Sequence, residues 1–252
     1  MKNLLAVLLI IFCIACCDNG ISYNRIGEDA EIPASLDLRN SGIITPVKDQ
    51  GNFGSCGIFA GVSVFEALIK KETGKTVDLS EQHVINYSPD WRSSGISSLD
   101  VLKFMKENGI VLEDALPYEA AKTDSSPLED FDYKLTDCIS VVVDKMPLQE
   151  KIISLKKAIL EYGPVATTMN LFDSLQRYTG GVYMVGGSDR EIGGHWVVVV
   201  GWSDDNNIKN GGCWICRNSA GPEWGEEGYF RIAYGESGID DYYFCYGIYK
   251  IK

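Results

Sequence analysis

Three segments of the chain carry residue types able to do covalent chemistry. In Gln50-Gly51-Asn52-Phe53-Gly54-Ser55-Cys56 a polar, glycine-containing loop delivers a cysteine to the start of a helical apolar pattern. Unpaired N–H groups and the dipole at a helix start favour thiolate over thiol, and the thiolate is the nucleophile. A buried structural cysteine opening a core helix fits the same loop. His195 opens the strongly apolar run His195-Trp196-Val197-Val198-Val199-Val200, where histidine has no packing advantage over Val or Ile. Beside Cys56 it could form a thiolate–imidazolium pair, take up a proton and return it to a leaving amine; otherwise it is an edge histidine with a satisfied ring. His83, the only other histidine, falls in a short predicted helix and reads as structural or exposed. Asn218, at the end of Trp214-Ile215-Cys216-Arg217-Asn218, could accept a ring N–H from the histidine and fix its orientation. An asparagine at a strand end is otherwise a turn residue.

These segments need elements to hold them. From Cys56 the apolar positions Phe59, Val62, Phe65 and Leu68 follow helical spacing, and Gly74 is a natural stop. A second helix starts near Ser80, where Asp78-Leu79-Ser80-Glu81 resembles a capping box. A third runs from Leu99 through Met105 to Asn108-Gly109. The second half keeps one helix, 148–162, and then changes period. Strand-like runs follow at 165–169, 182–185, 195–202, 213–218, 229–233 and 242–248, separated by turn-rich stretches such as 203–212. Helices first and strands later predict an α+β protein with two lobes, a helical one over 33–137 and a β-rich one over 138–252. A cleft between them would be the natural site.

Composition bounds the rest. A chain of 252 residues with 45% hydrophobic side chains can bury one large domain or two modest lobes. A net charge of -12 argues against a nucleic-acid partner. Lys2 followed by the apolar residues 4–14 has the pattern of a signal peptide, residues 1–17, and is short for a membrane span. Cys13-Ile14-Ala15-Cys16-Cys17 resembles a bacterial lipoprotein signal, so the expectation divides between lipidation at Cys16 and plain secretion. Residues 18–32 read as a tether. Beyond Cys56, the cysteines Cys138, Cys213, Cys216 and Cys245 allow three two-bridge connectivities. Cys213 and Cys216 form a C-x-x-C without the second pair or histidines that zinc needs, on a run where positions three apart face opposite sides.

With these segments in hand, the chain resembles the papain family of cysteine peptidases. The likeness covers nearly all of the chain after the leader: Pro33-Ala34-Ser35-Leu36-Asp37-Leu38-Arg39, Thr45-Pro46-Val47-Lys48-Asp49-Gln50-Gly51, Gly54-Ser55-Cys56, Leu79-Ser80-Glu81-Gln82, Leu116-Pro117-Tyr118, Gly180-Gly181-Val182-Tyr183, the His195 and Asn218 segments, and Trp224-Gly225-Glu226-Glu227-Gly228-Tyr229. The separation of His195 from Cys56 falls in the family's window of ~130–150 residues. The resemblance implies a papain-like fold and a monomer acting on peptide or protein substrates, with no cofactor or metal. It implies that Cys56 attacks the peptide carbonyl to give a thioester, that His195 shuttles the proton, and that Asn218 orients His195. Gln50 and the Cys56 N–H would form the oxyanion hole. Ser94 and Gly95 stand where the family binds substrate backbone, and Gly194 where a substrate-contacting Asn or Asp commonly precedes the histidine.

The departures are specific. Gly57 replaces the Trp that usually follows the nucleophile, and Ala220 replaces the Trp that usually shields the His–Asn hydrogen bond. Trp196 stands where a small residue is expected, and is expected to fill part of the vacated volume. The family's cysteine near Phe53 is missing, as are its partners, so the helical lobe should rest on packing alone. The stretch before Pro33 is expected to be too short for an inhibitory propeptide. A surface-tethered, catalytically weak peptide-binding homologue is the alternative, and a thiol–disulfide protein using Cys213 and Cys216 a third. The expected location is secreted or cell-envelope.

Overall fold

The apolar period that begins at Cys56 forms a helix of 18 residues, α1 (Cys56–Thr73), and everything from Gly57 to Ile69 on it is buried. In a computed structural model the described residues are 13–15, 31–89, 95–123, 130–241 and 243–249. Gly74 ends α1 in the left-handed conformation (φ 73°), donating its N–H to Lys70 O. Helix α2 (Glu81–Tyr87) is capped by the Ser80 hydroxyl, which accepts from His83 N. The expected capping box of Asp78 and Glu81 does not form: the cap is Ser80, and Asp78 and Glu81 both bind Lys48 instead. Helix α3 (Ser98–Glu107) is capped by Ser97 and crosses α1 at Gly57 and Gly61. A Cβ on Gly61 would lie 2.8 Å from a Val101 methyl, so the small residues set how closely the helices meet.

Beside these helices the described residues form one nine-stranded sheet. Its strands are β1 (Cys13–Ala15), β2 (Ser35–Asp37), β3 (Asp137–Val142), β4 (Val165–Phe172), β5 (Val182–Tyr183), β6 (Glu191–Asp204), β7 (Gly212–Arg217), β8 (Tyr229–Ala233) and β9 (Tyr243–Ile248). The order is β1-β3-β9-β4-β6-β7-β8-β5, with β2 added to β6; pairing is antiparallel except for β5 with β8. Helix α4 (Leu148–Tyr162) packs its buried face, including Ile152, Leu155 and Ile159, against one side of the sheet. Trp202, Trp214 and Phe230 fill the core there. The other side of the sheet supplies Ala166, Val198, Val200 and Cys245 to a second core around α1 and α3. The fold is thus α+β with two lobes sharing the sheet. Because β2 pairs with β6, the first residues after Pro33 lie on the β-rich half.

Cys138, Cys213, Cys216 and Cys245 are buried free thiols, so none of the three anticipated disulfide pairings among them is present. Cys213 and Cys216 are three apart on β7 and so face opposite sides. Cys138 stands opposite Gly247 and Cys245 opposite Ser140, out of direct register with one another. Burial pushes the Cys216 and Cys245 thiols well up, which makes them poor nucleophiles. Most of the leader and tether, lipidation candidate Cys16, and Ser94 lie outside the described residues.

Candidate active site

Cys56 is the first residue of α1, where the opening N–H groups of a helix have no intrahelical partner. His195 reaches it from β6, and Asn218 from the turn just beyond β7. Adjacent antiparallel strands therefore carry the histidine and the asparagine on one lobe, and the helix carries the cysteine on the other. The His195 Nε2 lies 2.8 Å from Asn218 Oδ1, and the ring is also hydrogen-bonded to the Cys56 sulfur, which leaves Nδ1 for that contact. Asn218 Oδ1 also accepts from Ser219 N at 2.9 Å, so its amide orientation is fixed from two directions.

Electrostatics follow from these contacts. Burial pushes the Cys56 thiol up, but the hydrogen bond and charge of His195, with the N–H groups of Trp196 and Gly57, outweigh it, and the net shift is down. Burial likewise pushes His195 down, yet Cys56 and Asn218 outweigh it and the ring ends above its ordinary value. The two groups stabilise each other as thiolate and imidazolium. His83 is different: buried, edge-on to Tyr87 and Phe104, it accepts Val111 N on Nδ1, and burial lowers it to about 4. It is a neutral structural residue.

Gln50 stands on the loop before Cys56. Its N–H donates to Ser219 O at 2.9 Å, its Oε1 accepts from the Ser219 hydroxyl, and its Nε2 donates to Phe53 O at 2.7 Å. A second cross-lobe bond, Gly221 N to Lys48 O at 3.2 Å, continues this pairing. Sequence reasoning missed Ser219, since nothing local marks a serine as the partner of a glutamine in a distant segment. Gly95 (φ 103°) abuts the same loop, where a Cβ would sit 3.0 Å from Gly54 O. Gly194 is exposed, with open space where a side chain would stand. The structure thus brings Cys56, His195, Asn218 and Gln50 together, with Gly95 and Gly194 around them.

A Cβ on Gly57 would lie 1.9 Å from Ile96 O, so the 96–98 backbone closes over the helix there. Trp196, half-buried, instead lines an inter-lobe void of about 10 Å³ with Phe59, Ala60, Ser63, Asn218 and Ser219, room for about one water molecule. Asn218 is buried although residue 220 is an exposed alanine. Below the void, Lys48 binds Glu66 (2.8 Å), Asp78 (2.6 Å) and Glu81 (3.0 Å), which ties the loop before Gln50 to both α1 and α2. Among the described residues, no group of three His, Cys, Asp or Glu side chains could hold a metal ion.

Comparison with known proteins agrees with this geometry. Residues 32–246 match the model of the papain family cysteine proteases. Procathepsin L of Rattus norvegicus is 35% identical over 212 residues, covering 81% of this chain and 61% of that protein. Cathepsin K of Mus musculus is 33% identical over 209 residues, with the same two shares. This chain spans about three-fifths of the length of these curated relatives. Among solved structures, digestive procathepsin L 3 from Tenebrio molitor larval midgut superposes with a TM-score of 0.75 at 28% identity, covering 89% of this chain and 72% of that one. The chain that sets a cysteine at a helix start against a histidine held by an asparagine across two lobes thus belongs to the papain family of cysteine proteases.

Proposed function

We propose that the chain hydrolyses peptide bonds through a thioester on Cys56. The observation that carries this reading is His195, hydrogen-bonded to the Cys56 sulfur on one side and to Asn218 on the other, with cysteine shifted down and histidine up. The Cys56 thiolate attacks the substrate carbonyl carbon, and the carbonyl π electrons move to oxygen. The resulting oxyanion lies by the Cys56 N–H and the second Nε2 hydrogen of Gln50, since the first is committed to Phe53 O. Collapse breaks the C–N bond, and His195 gives its proton to the departing amine. Neutral His195 then takes a proton from water, which attacks the thioester and regenerates the thiolate–imidazolium pair. Asn218 keeps the ring in the plane of this traffic throughout.

Substrate backbone would run along Gly95, with Ser94 beside it, and past Gly194, in the manner of an added strand. Secretion or a cell-envelope location, with lipidation at Cys16 as one route, completes the reading, and the protein acts as a monomer. The burial of Asn218 despite Ala220 supports full activity over a weak peptide-binding role. Hydrolysis of a mixed peptide library by the wild type and its loss in Cys56→Ser test the proposal; equal cleavage by both, or cleavage by neither with Cys56 reduced, overturns it.

A further inference from the structure

Tyr118 is absent from the steps above, yet its hydroxyl lies under the oxyanion side of the site. It donates to Gln50 O at 2.8 Å and meets the Ser55 hydroxyl at 2.8 Å. Gln50 and Ser55 are the two ends of the loop that presents the nucleophile. Ser55 is fully buried and immediately precedes Cys56. The Tyr118 ring stands edge-on to Phe59 on α1, with centroids 4.9 Å apart. Its own backbone is held from the other side, with Tyr118 N donating to Glu113 Oε1 at 2.6 Å.

We infer that Tyr118 is a positioning residue for the oxyanion hole, a strut that fixes the Gln50 side chain relative to the Cys56 N–H. This rests on the peptidase reading above and adds a part to it. Gln50 is clamped at four points: its N–H and Oε1 on Ser219, its Nε2 on Phe53 O, and its carbonyl on Tyr118. The first two set it against the β-rich lobe. The Tyr118 contact ties its backbone to the residue that precedes the nucleophile through one hydroxyl shared with Ser55, beside the Phe53 carbonyl that accepts from both Gln50 Nε2 and Ser55 N. Two donors converging on one developing oxyanion must keep a fixed separation, and a misplacement of about 1 Å can cost ~10²-fold in rate. The sulfur–imidazolium pair involves none of these atoms.

Tyr118→Phe tests the assignment because it keeps the ring on Phe59 and removes only the hydroxyl. Three quantities are read in the wild type, Tyr118→Phe, Gln50→Ala and the double variant: kcat and KM on a peptide amide, alkylation of Cys56 by iodoacetamide across pH, and the thermal midpoint. Alkylation forms no oxyanion, so it reports the thiolate without the hole. The expected result for Tyr118→Phe is a fall in kcat of about ten- to hundredfold at nearly constant KM. Its alkylation profile stays at wild-type values, and it adds less than about threefold on top of Gln50→Ala. A kcat within about twofold of wild type overturns the assignment. So does an equal fall in alkylation and hydrolysis, or a full additional loss in the Gln50→Ala background. Should Tyr118→Phe melt far below the wild type, Ser55→Ala removes the same shared contact from the other end, and the same split between kcat and alkylation decides. A wild type that alkylates normally and cleaves nothing overturns the peptidase reading and this assignment together; an active wild type beside an indifferent Tyr118→Phe overturns only the strut.

Discussion

Gly57→Ala offers a sharp test of how the helix that carries the nucleophile is packed. By helix propensity alone the change should stabilise α1 by about 1 kcal/mol. The surroundings dictate the opposite. The new methyl carbon would stand 1.9 Å from Ile96 O and 3.1 Å from Ile96 C, both backbone atoms. Separations below 3.0 Å do not occur for real Cβ atoms, so the 96–98 segment must retreat by at least an ångström. It is not free to do so: the Ser98 hydroxyl donates to Gly57 O at 2.8 Å, and Ser98 begins α3. Overpacking of this kind costs ~1–3 kcal/mol and occasionally more; a 1.9 Å approach to a backbone oxygen belongs at the upper end, and less the propensity gain the net loss is about 2 kcal/mol. In a domain of this size that corresponds to a fall in thermal midpoint of about 4–8 °C. The assay is calorimetry, with a urea titration to check that the m-value is unchanged. Peptide cleavage should fall as well, because Gly95 lies next to the displaced segment. A midpoint equal to or above that of the wild type would refute the reasoning, since it would mean that propensity wins and that no backbone lies against Gly57.

Three further outcomes follow from the same contacts. Trp196→Ala should enlarge the inter-lobe void and cost about 2–3 kcal/mol, below the range for a fully buried indole, as read by chemical denaturation; unchanged stability would mean that the indole fills no gap. Asn218→Ala removes a contact that raises His195, so the ring loses its proton at lower pH. The alkaline limb of the kcat/KM profile should therefore move to lower pH, and an unmoved limb would deny Asn218 its role. Burial, with Glu66 beside it, raises Glu81 to about 8 against the partial relief of Lys48. The folded chain then binds that proton more tightly than the unfolded one, and stability should fall as pH rises from the ordinary carboxylate range through about 8. Glu81→Gln should flatten that slope in denaturant midpoints taken across pH; a slope identical to wild type would contradict the assignment.

What the sequence made legible was whatever rests on local period. The span of α1, its stop at Gly74, the helix 148–162 and most of the strands follow from apolar spacing and turn residues. β1, β2 and β3 were not anticipated: β1 falls inside the expected signal peptide yet pairs with β3, and a three-residue strand or a short run beside a polar stretch carries little periodic signal on its own. β6 starts four residues before His195 and runs on to Asp204, past both ends of the expected run 195–202, because Gly193 and Gly194 interrupt the apolar pattern although they pair with β4. The catalytic types stood out because histidine in an apolar strand and cysteine after a glycine loop have few other reasons to be there. Their supports did not. Ser219 behind Gln50, Tyr118 beneath it and Ile96 over Gly57 come from segments remote in sequence, and only the folded chain sets them in contact. Gly57 itself illustrates the gap: read locally it weakens a helix, but in three dimensions it makes room for another backbone.

The central claim is that Cys56 is the nucleophile of a peptide-cleaving site. Its most direct test is titration of the reduced wild-type chain with a peptidyl epoxide, following residual peptide hydrolysis and the site of modification by mass spectrometry. The account predicts that hydrolysis falls linearly to zero at one equivalent, with a single adduct on Cys56 and none on Cys138, Cys213, Cys216 or Cys245. Hydrolysis that persists after Cys56 is fully modified would contradict it.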